Sequence, residues 1–187
     1  MNRLIFLLLF LTFNSYGQKD NKAVFNSLER ALINPTIVKS LDLSESNLTQ
    51  LSADILKLKN LEEIDLSSNG ALDLSQAFTL LKEIKTLKVL SLTNAKLKKI
   101  PDNVSELSNL EDLDLSENEL TSFPEAGKKL RNLKYLSFFD NGISSVSLIK
   151  GDLPSLIWID LCYNKFKIFP VELSYICLLY TSDAADE

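Results

Sequence analysis

Asp42, Asp65, Asp114 and Asp160 each sit between two aliphatic residues of this 187-residue chain, and a carboxylate that returns at one slot is where chemistry would first be sought. Collected on one surface, such a column has the donor type that calcium takes, or that paired acids use in glycoside hydrolysis. The remaining composition withholds the usual helpers. The chain has no histidine, which removes imidazole general-base catalysis, a Ser-His-Asp triad and histidine-ligated zinc. Gly17, Gly70, Gly127, Gly142 and Gly151 are scattered and make no phosphate-binding loop. No cofactor is implied, so the meaning of the aspartates depends on the elements that hold them.

Those elements repeat. The pattern LxxLxLxxNxL returns six times, with its first strand-core slot at Leu41, Ile64, Leu90, Leu113, Leu136 and Ile159, at spacings of 23, 26, 23, 23 and 23. A fixed period of this length predicts a solenoid in place of a compact enzyme domain. The two residues of each LxL pair lie two apart on a strand and share a face, while those between and beside them point the other way. The aspartates therefore fall on the solvent side of a sheet. After the asparagine turn the apolar step widens, as in Leu51, Ile55, Leu58, Leu61 and in Ile100, Val104, Leu107, Leu110. That spacing predicts a short helix or helical turn behind the sheet.

From about Val38 to Ile176 the chain resembles the leucine-rich repeat family in its roughly 23-residue form, including proline after the outer apolar residue (Ile100-Pro101, Phe123-Pro124, Phe169-Pro170). The resemblance implies an α/β solenoid: a right-handed coil with a parallel sheet on its concave side, which commonly binds ligand, and short helices or turns on its convex side. It also implies that Asn69, Asn118, Asn141 and Asn164 form a ladder of buried amides bonding turn backbone. Ser46 and Ala95 interrupt that ladder, so repeats one and three are expected to be held less firmly. Aspartate between the core leucines is common in the family, which favours a pattern residue over a calcium or acid-pair site. The second repeat is three residues longer and contains Leu74 to Ile84. Ala77, Leu80, Leu81 and Ile84 predict a lengthened convex helix, with Ser75 as its cap.

Both ends carry their own signals. Arg3, the apolar run Leu4 to Phe13 and the small residues Ser15 and Gly17 before Gln18 predict a signal peptide over residues 1–17 and a secreted, periplasmic or cell-surface protein. The run is too short to span a bilayer, and no transmembrane segment is expected. Residues 18–37 are expected to cap the solenoid, with an amphipathic helix over Asp20 to Ile33 (Val24, Phe25, Leu28, Ala31, Leu32) stopped by Asn34-Pro35. The repeats then run over 38–176 as an incomplete array. Residues 177–187 contain Cys177-Leu-Leu-Tyr-Thr-Ser-Asp-Ala-Ala-Asp186, which resembles the translation of a transposase-type sequencing adapter (TGT CTC TTA TAC ACA TCT GAC GCT GCC GAC). This marks a non-native tail and predicts that the native frame continues past Ile176, the other reading being a disordered native tail.

The formal net charge is −5. Without the leader (Arg3) and the tail (Asp183, Asp186, Glu187), 19 basic and 22 acidic residues remain, or −3. Mild acidity with no basic stripe argues against nucleic acid and against an anionic membrane surface. With Cys177 in the tail, Cys162 stands alone and no disulfide cap is supported. Asn47-Leu-Thr49 and Asn103-Val-Ser105 fit glycosylation triplets, though such triplets are frequent by chance.

The outward slots hold the remaining information. They run Ser40, Asp42, Ser44; Glu63, Asp65, Ser67; Val89, Ser91, Thr93; Asp112, Asp114, Ser116; then Tyr135, Ser137, Phe139 and Trp158, Asp160, Cys162, with Tyr163 adjacent. Polar and small residues give way to four large aromatics on neighbouring strands. That patch predicts a partner-binding surface formed by Tyr135, Phe139, Trp158, Asp160, Tyr163, Asp112, Asp114 and Val89; the competing reading is that a further repeat or cap covers it. Six strands of about five residues give a concave sheet of roughly 500 Å², which suits a peptide, loop or glycan better than the roughly 800 Å² per partner of a standard protein interface. The expected protein is thus a non-catalytic recognition module for a protein, peptide or glycan. The alternatives are the N-terminal recognition arm of a larger enzyme or receptor, and a structural spacer without a ligand.

Overall fold

A computed structural model describes residues 23–149 and 151–168. The leader, Phe169-Pro170 and the tail lie outside the described residues.

The aliphatic pairs build one parallel sheet whose strands follow chain order. These are β1 (Val24–Phe25), β2 (Ser40–Asp42), β3 (Glu63–Asp65), β4 (Val89–Ser91), β5 (Asp112–Asp114), β6 (Tyr135–Ser137) and β7 (Trp158–Asp160). Leu41, Ile64, Leu90, Leu113, Leu136 and Ile159 stand in register across the sheet, the same six residues that the period aligns. Parallel strands joined across one face favour a right-handed coil. From Leu41 and Leu43 to Leu136 and Phe138, every LxL pair is at most 7% exposed. One apolar core runs the length of the coil, and each fully buried leucine contributes about 2 kcal/mol.

The convex returns follow local sequence. Three are 3-10 helices at Ala53–Lys57, Asp102–Glu106 and Glu125–Lys129. Pro101 and Pro124 stand immediately before the last two, where a missing N–H leaves no helical bond unmade. The longer second repeat forms α2 (Leu74–Leu81), with Leu74, Ala77, Phe78 and Leu81 buried. Its cap is Asp73, whose carboxylate accepts the Gln76 N–H at 3.0 Å, and not the expected Ser75. The helix must begin at Leu74 for that residue to enter the core, which places Ser75 inside it. The Gln76 amide then closes on both backbone groups of Leu51, pinning the insertion to the coil before it.

The N-terminal region departs from the expected helix over Asp20 to Ile33. Within its described part, Val24 and Phe25 extend as β1 and pair with β2, and only Leu28–Ala31 is helical (α1), capped by Ser27. A two-residue strand satisfies the edge of β2, where bare N–H and C=O groups would template another chain. β-branched and aromatic residues suit that position.

Candidate functional site

The turn after each strand sets the shape of the concave face, and amide side chains hold it. Asn118 donates to the carbonyls of Leu92, Leu115 and Ser116 at 2.9, 3.0 and 2.9 Å and accepts the N–H groups of Ala95 and Leu97 at 3.0 Å each. Asn69, Asn141 and Asn164 do the same for the carbonyls of Leu43, Leu115 and Phe138 and the N–H groups of Leu48, Leu120 and Ile143. Each asparagine thus reaches back one repeat. This corrects the expectation for Ser46 and Ala95: the turns of repeats one and three are served by Asn69 and Asn118, and the support that Ala95 fails to supply belongs to repeat two. There Leu72 closes a local turn on the Asn69 carbonyl.

The residue before every ladder slot has positive φ: Glu45, Ser68, Asn94, Glu117, Asp140 and Tyr163 lie between 52° and 58°. None is glycine, so each turn holds a left-handed backbone at a cost. Where the slot is Ser46 or Ala95, a second left-handed residue follows at Asn47 or Lys96.

A second ladder escaped the sequence reading. Asn60 donates to Thr36 O, the Thr86 hydroxyl to Lys59 O and Leu61 O, Asn109 to Lys85 O and Asn132 to Ser108 O. All four sit just before the first leucine of the motif, a position whose recurring Asn or Thr was the available signal.

The aspartate column also has a local role. Asp42, Asp65, Asp114 and Asp160 accept, through Oδ1, the N–H of Ser44, Ser67, Ser116 and Cys162 at 2.9, 2.8, 2.9 and 2.8 Å. Each carboxylate bridges two residues ahead and fixes the end of its strand. Hydroxyls extend the network sideways, with Ser67 to Ser91 at 2.8 Å and Ser116 to Ser137 at 2.7 Å. At the other end of the strands, basic and acidic residues alternate as Lys39, Glu62, Lys88, Glu111 and Lys134. Lys39 meets Glu62 at 2.8 Å, and Glu111 meets Lys88 at 3.1 Å and Lys134 at 2.6 Å. The hydrogen bond from Lys134, and then that from Lys88, holds the Glu111 carboxyl below its ordinary range.

The sequence-predicted site residues divide into registered rows. Val89, Asp112, Tyr135 and Trp158 are consecutive neighbours across β4 to β7, and Asp114 and Asp160 occupy the next outward row with Ser137 between them. Tyr135, Phe139 and Trp158 are half-buried, less open than the sequence implied, whereas Tyr163 is 59% exposed. The rings of Phe139 and Tyr163 meet edge to face, 5.0 Å apart at 65°, a favoured aromatic geometry.

Asp112 bears the electrostatic cost of this arrangement. Burial first, and then the Asp114 and Glu63 carboxylates, push it up to about 6. Its strand neighbours Val89 and Tyr135 carry no countercharge, and the nearest lysines, Lys88 and Lys134, are paired with Glu111. A carboxyl whose folded value lies above its unfolded one destabilises the fold above pH 6, and the penalty disappears as pH falls toward 4. Asp112→Asn should therefore stabilise the protein by roughly 2 kcal/mol at pH 7.5, after allowance for partial exposure, and by almost nothing at pH 4. Paired urea titrations at the two pH values check the difference, and an equal effect at both would refute this origin.

Cys162 is exposed and free. Partial desolvation of its sulfur, and then the Asp160 carboxylate beside it, push the thiol up to about 11. Only the thiolate attacks, so in a Cys177→Ser background Cys162 should react with a disulfide reagent at pH 8 at least tenfold more slowly than free cysteine. A stopped-flow rate equal to that of the free thiol would contradict it. Of the glycosylation triplets, Asn103 already spends its amide on Ser75 O at 2.8 Å, so a glycan there would break a contact with α2.

A leucine-rich repeat family model matches residues 85–143. Among solved structures, a leucine-rich repeat protein of Leptospira interrogans shares 26% identity at a TM-score of 0.57, the match covering 82% of this chain and 50% of that one. An internalin of Listeria monocytogenes shares 20% identity at a TM-score of 0.56, over 81% of this chain and 48% of that one. The chain spans about half the length of these structures. Comparison with curated proteins gives no match. In-register LxL strands, the amide ladder that closes their turns and these likenesses agree on one fold, a leucine-rich repeat solenoid, with residues 85–143 matching the family model itself.

Proposed function

We propose that this is an exported recognition protein that binds a protein, peptide or glycan ligand through its concave face and performs no chemistry. One observation carries the reading: Tyr135 and Trp158 are registered neighbours on β6 and β7, with the Phe139 and Tyr163 pair at the ends of the same strands. Half-buried aromatics lose little entropy on contact and supply the anchors of interfaces. The family supports a binding role, because leucine-rich repeats are protein–protein interaction modules. Absence of chemistry is supported by a chain without histidine, a thiol held protonated and aspartates engaged in turns. Export rests on Arg3, the apolar run and Gly17, which lie outside the described residues. Among the described residues no helix is long and apolar enough to cross a membrane.

Affinity after targeted loss of the aromatics tests the reading. Phe139→Ser/Trp158→Ser should weaken binding of a captured ligand by 100-fold or more, since truncated anchors cost about 2 kcal/mol each or more. Calorimetry would check the affinity, and an unchanged melting temperature would show that the variant folds. Undiminished affinity refutes the site, and capture of nothing by the intact protein favours a structural spacer.

A further inference from the structure

The concave face has a seat whose chemistry names its occupant. Val89 and Ser91 of β4 form its floor, in register with Glu63 and Asp65 on β3 and with Asp112 and Asp114 on β5. The same row continues to Tyr135 and Trp158. No lysine or arginine occupies an outward slot of β2 to β7. Lys88 and Lys134, just before the strands, are held by Glu111. Two acidic strands thus flank an uncharged one, and the row runs on into an aromatic surface.

Spacing selects the cation. The carboxylates of β3 and β5 belong to strands about 10 Å apart, and among the described residues no three carboxylate or thiol groups come close enough to hold a metal ion. Calcium needs six or more oxygens converging to about 2.5 Å, and rows fixed by strand pairing do not converge. A guanidinium or ammonium group on a long stem fills the wider gap. Its methylenes lie on Val89 while its N–H groups reach the carboxylates on either side. Arginine suits the seat best, because its planar head also stacks on an aromatic ring such as Tyr135. Asp65 and Asp114 are already oriented by their turn bonds, at 2.8 and 2.9 Å, so little side-chain freedom is lost on engagement.

We infer that the ligand is a basic peptide segment, seating an arginine or lysine side chain on Val89 and Ser91 between the carboxylates of β3 and β5, with an apolar or aromatic neighbour against Tyr135 and Trp158. The inference rests on the concave-face reading of function and adds the partner's chemical class through charge complementarity. Asp112 is raised first by burial and then by the Asp114 and Glu63 carboxylates, and such a cation relieves the second of these causes.

Selection from a phage-displayed random peptide library on the full chain, with a glycan array in parallel, provides the test. Selected peptides should pair arginine or lysine with tryptophan, phenylalanine or leucine. Their affinity should fall tenfold or more in Glu63→Gln/Asp112→Asn, and again between 50 and 300 mM salt. Peptides that require Trp158 but carry no basic residue would overturn the cation and leave the concave-face reading standing. Peptides bound equally by Trp158→Ser and Glu63→Gln/Asp112→Asn would overturn both. A selection without binders, or glycans bound in place of peptides, would overturn the basic peptide alone.

Discussion

Replacing Asn118 with alanine should destabilise the coil by about 4 kcal/mol and lower its melting temperature by about 10 °C. Five backbone groups lose a bond at once: the carbonyls of Leu92, Leu115 and Ser116 and the N–H groups of Ala95 and Leu97, of which Leu115 O keeps Asn141 and Ser116 O keeps the Asn94 N–H. Asn118 is 8% exposed, so little water can replace those bonds. The substitution also frees Glu117, whose φ of 56° is retained only while the turn around it is over-determined. Asn118→Asp is no rescue, because a carboxylate keeps the acceptor and loses the donor that three carbonyls share. Ser46 occupies the equivalent slot in the first repeat, but its hydroxyl bonds only Ser44 O, at 3.1 Å. Ser46→Ala should cost under about 0.5 kcal/mol. Chemical denaturation of the two variants side by side checks the contrast, and equal costs would show that the ladder does not carry the turns.

Phe138→Ala should be comparably damaging, at about 4 kcal/mol. Phe138 fills a slot that is leucine in the four preceding repeats, is 1% exposed, and packs its ring 5.3 Å from that of Phe123. Beside it lies a small apolar cavity of about 10 Å³, lined also by Leu115, Leu130 and Leu136. Truncation would enlarge that void among side chains already fixed by strand register, which leaves little room for collapse. Phe138→Leu restores the common residue and should cost only about 1 kcal/mol. Because each coil touches mainly its neighbours, the loss should be local: hydrogen exchange should accelerate first at β6 and β7, which carry Tyr135 and Trp158, and last at β2 and β3. Uniform acceleration would argue against a local core at this end.

These two residues show what was legible in the chain. Periodicity placed Phe138 and Asn118 correctly, because a strand slot and a buried amide recur at a fixed step and the fold repeats at that step too. It did not give the direction of the amide ladder. Whether Asn118 serves its own turn or the one before depends on how successive coils stack, and each asparagine in fact bonds in both directions. Nor could spacing find the Ser27 cap and strand β1, since Val24 to Leu32 fits helical periodicity while the open edge of β2 recruits its first residues into the sheet. Asp73 was missed as a helix cap for a related reason: the start of α2 is fixed by burial of Leu74, and Ser75 is the more familiar cap residue. In the candidate site, the row Val89, Asp112, Tyr135, Trp158 was legible from the outward slots alone. The half-burial of its aromatics and the crowding of Asp112 were not, because both come from neighbours on other coils.

Under the proposed function the ligand touches the concave face of the coil, and site-specific photo-cross-linking reads that directly. A benzophenone amino acid placed at Tyr135, on the concave row, and separately at Glu83, on the convex side after α2, should give an adduct with captured ligand from Tyr135 only. Cross-linking from Glu83 with none from Tyr135 would contradict the concave site.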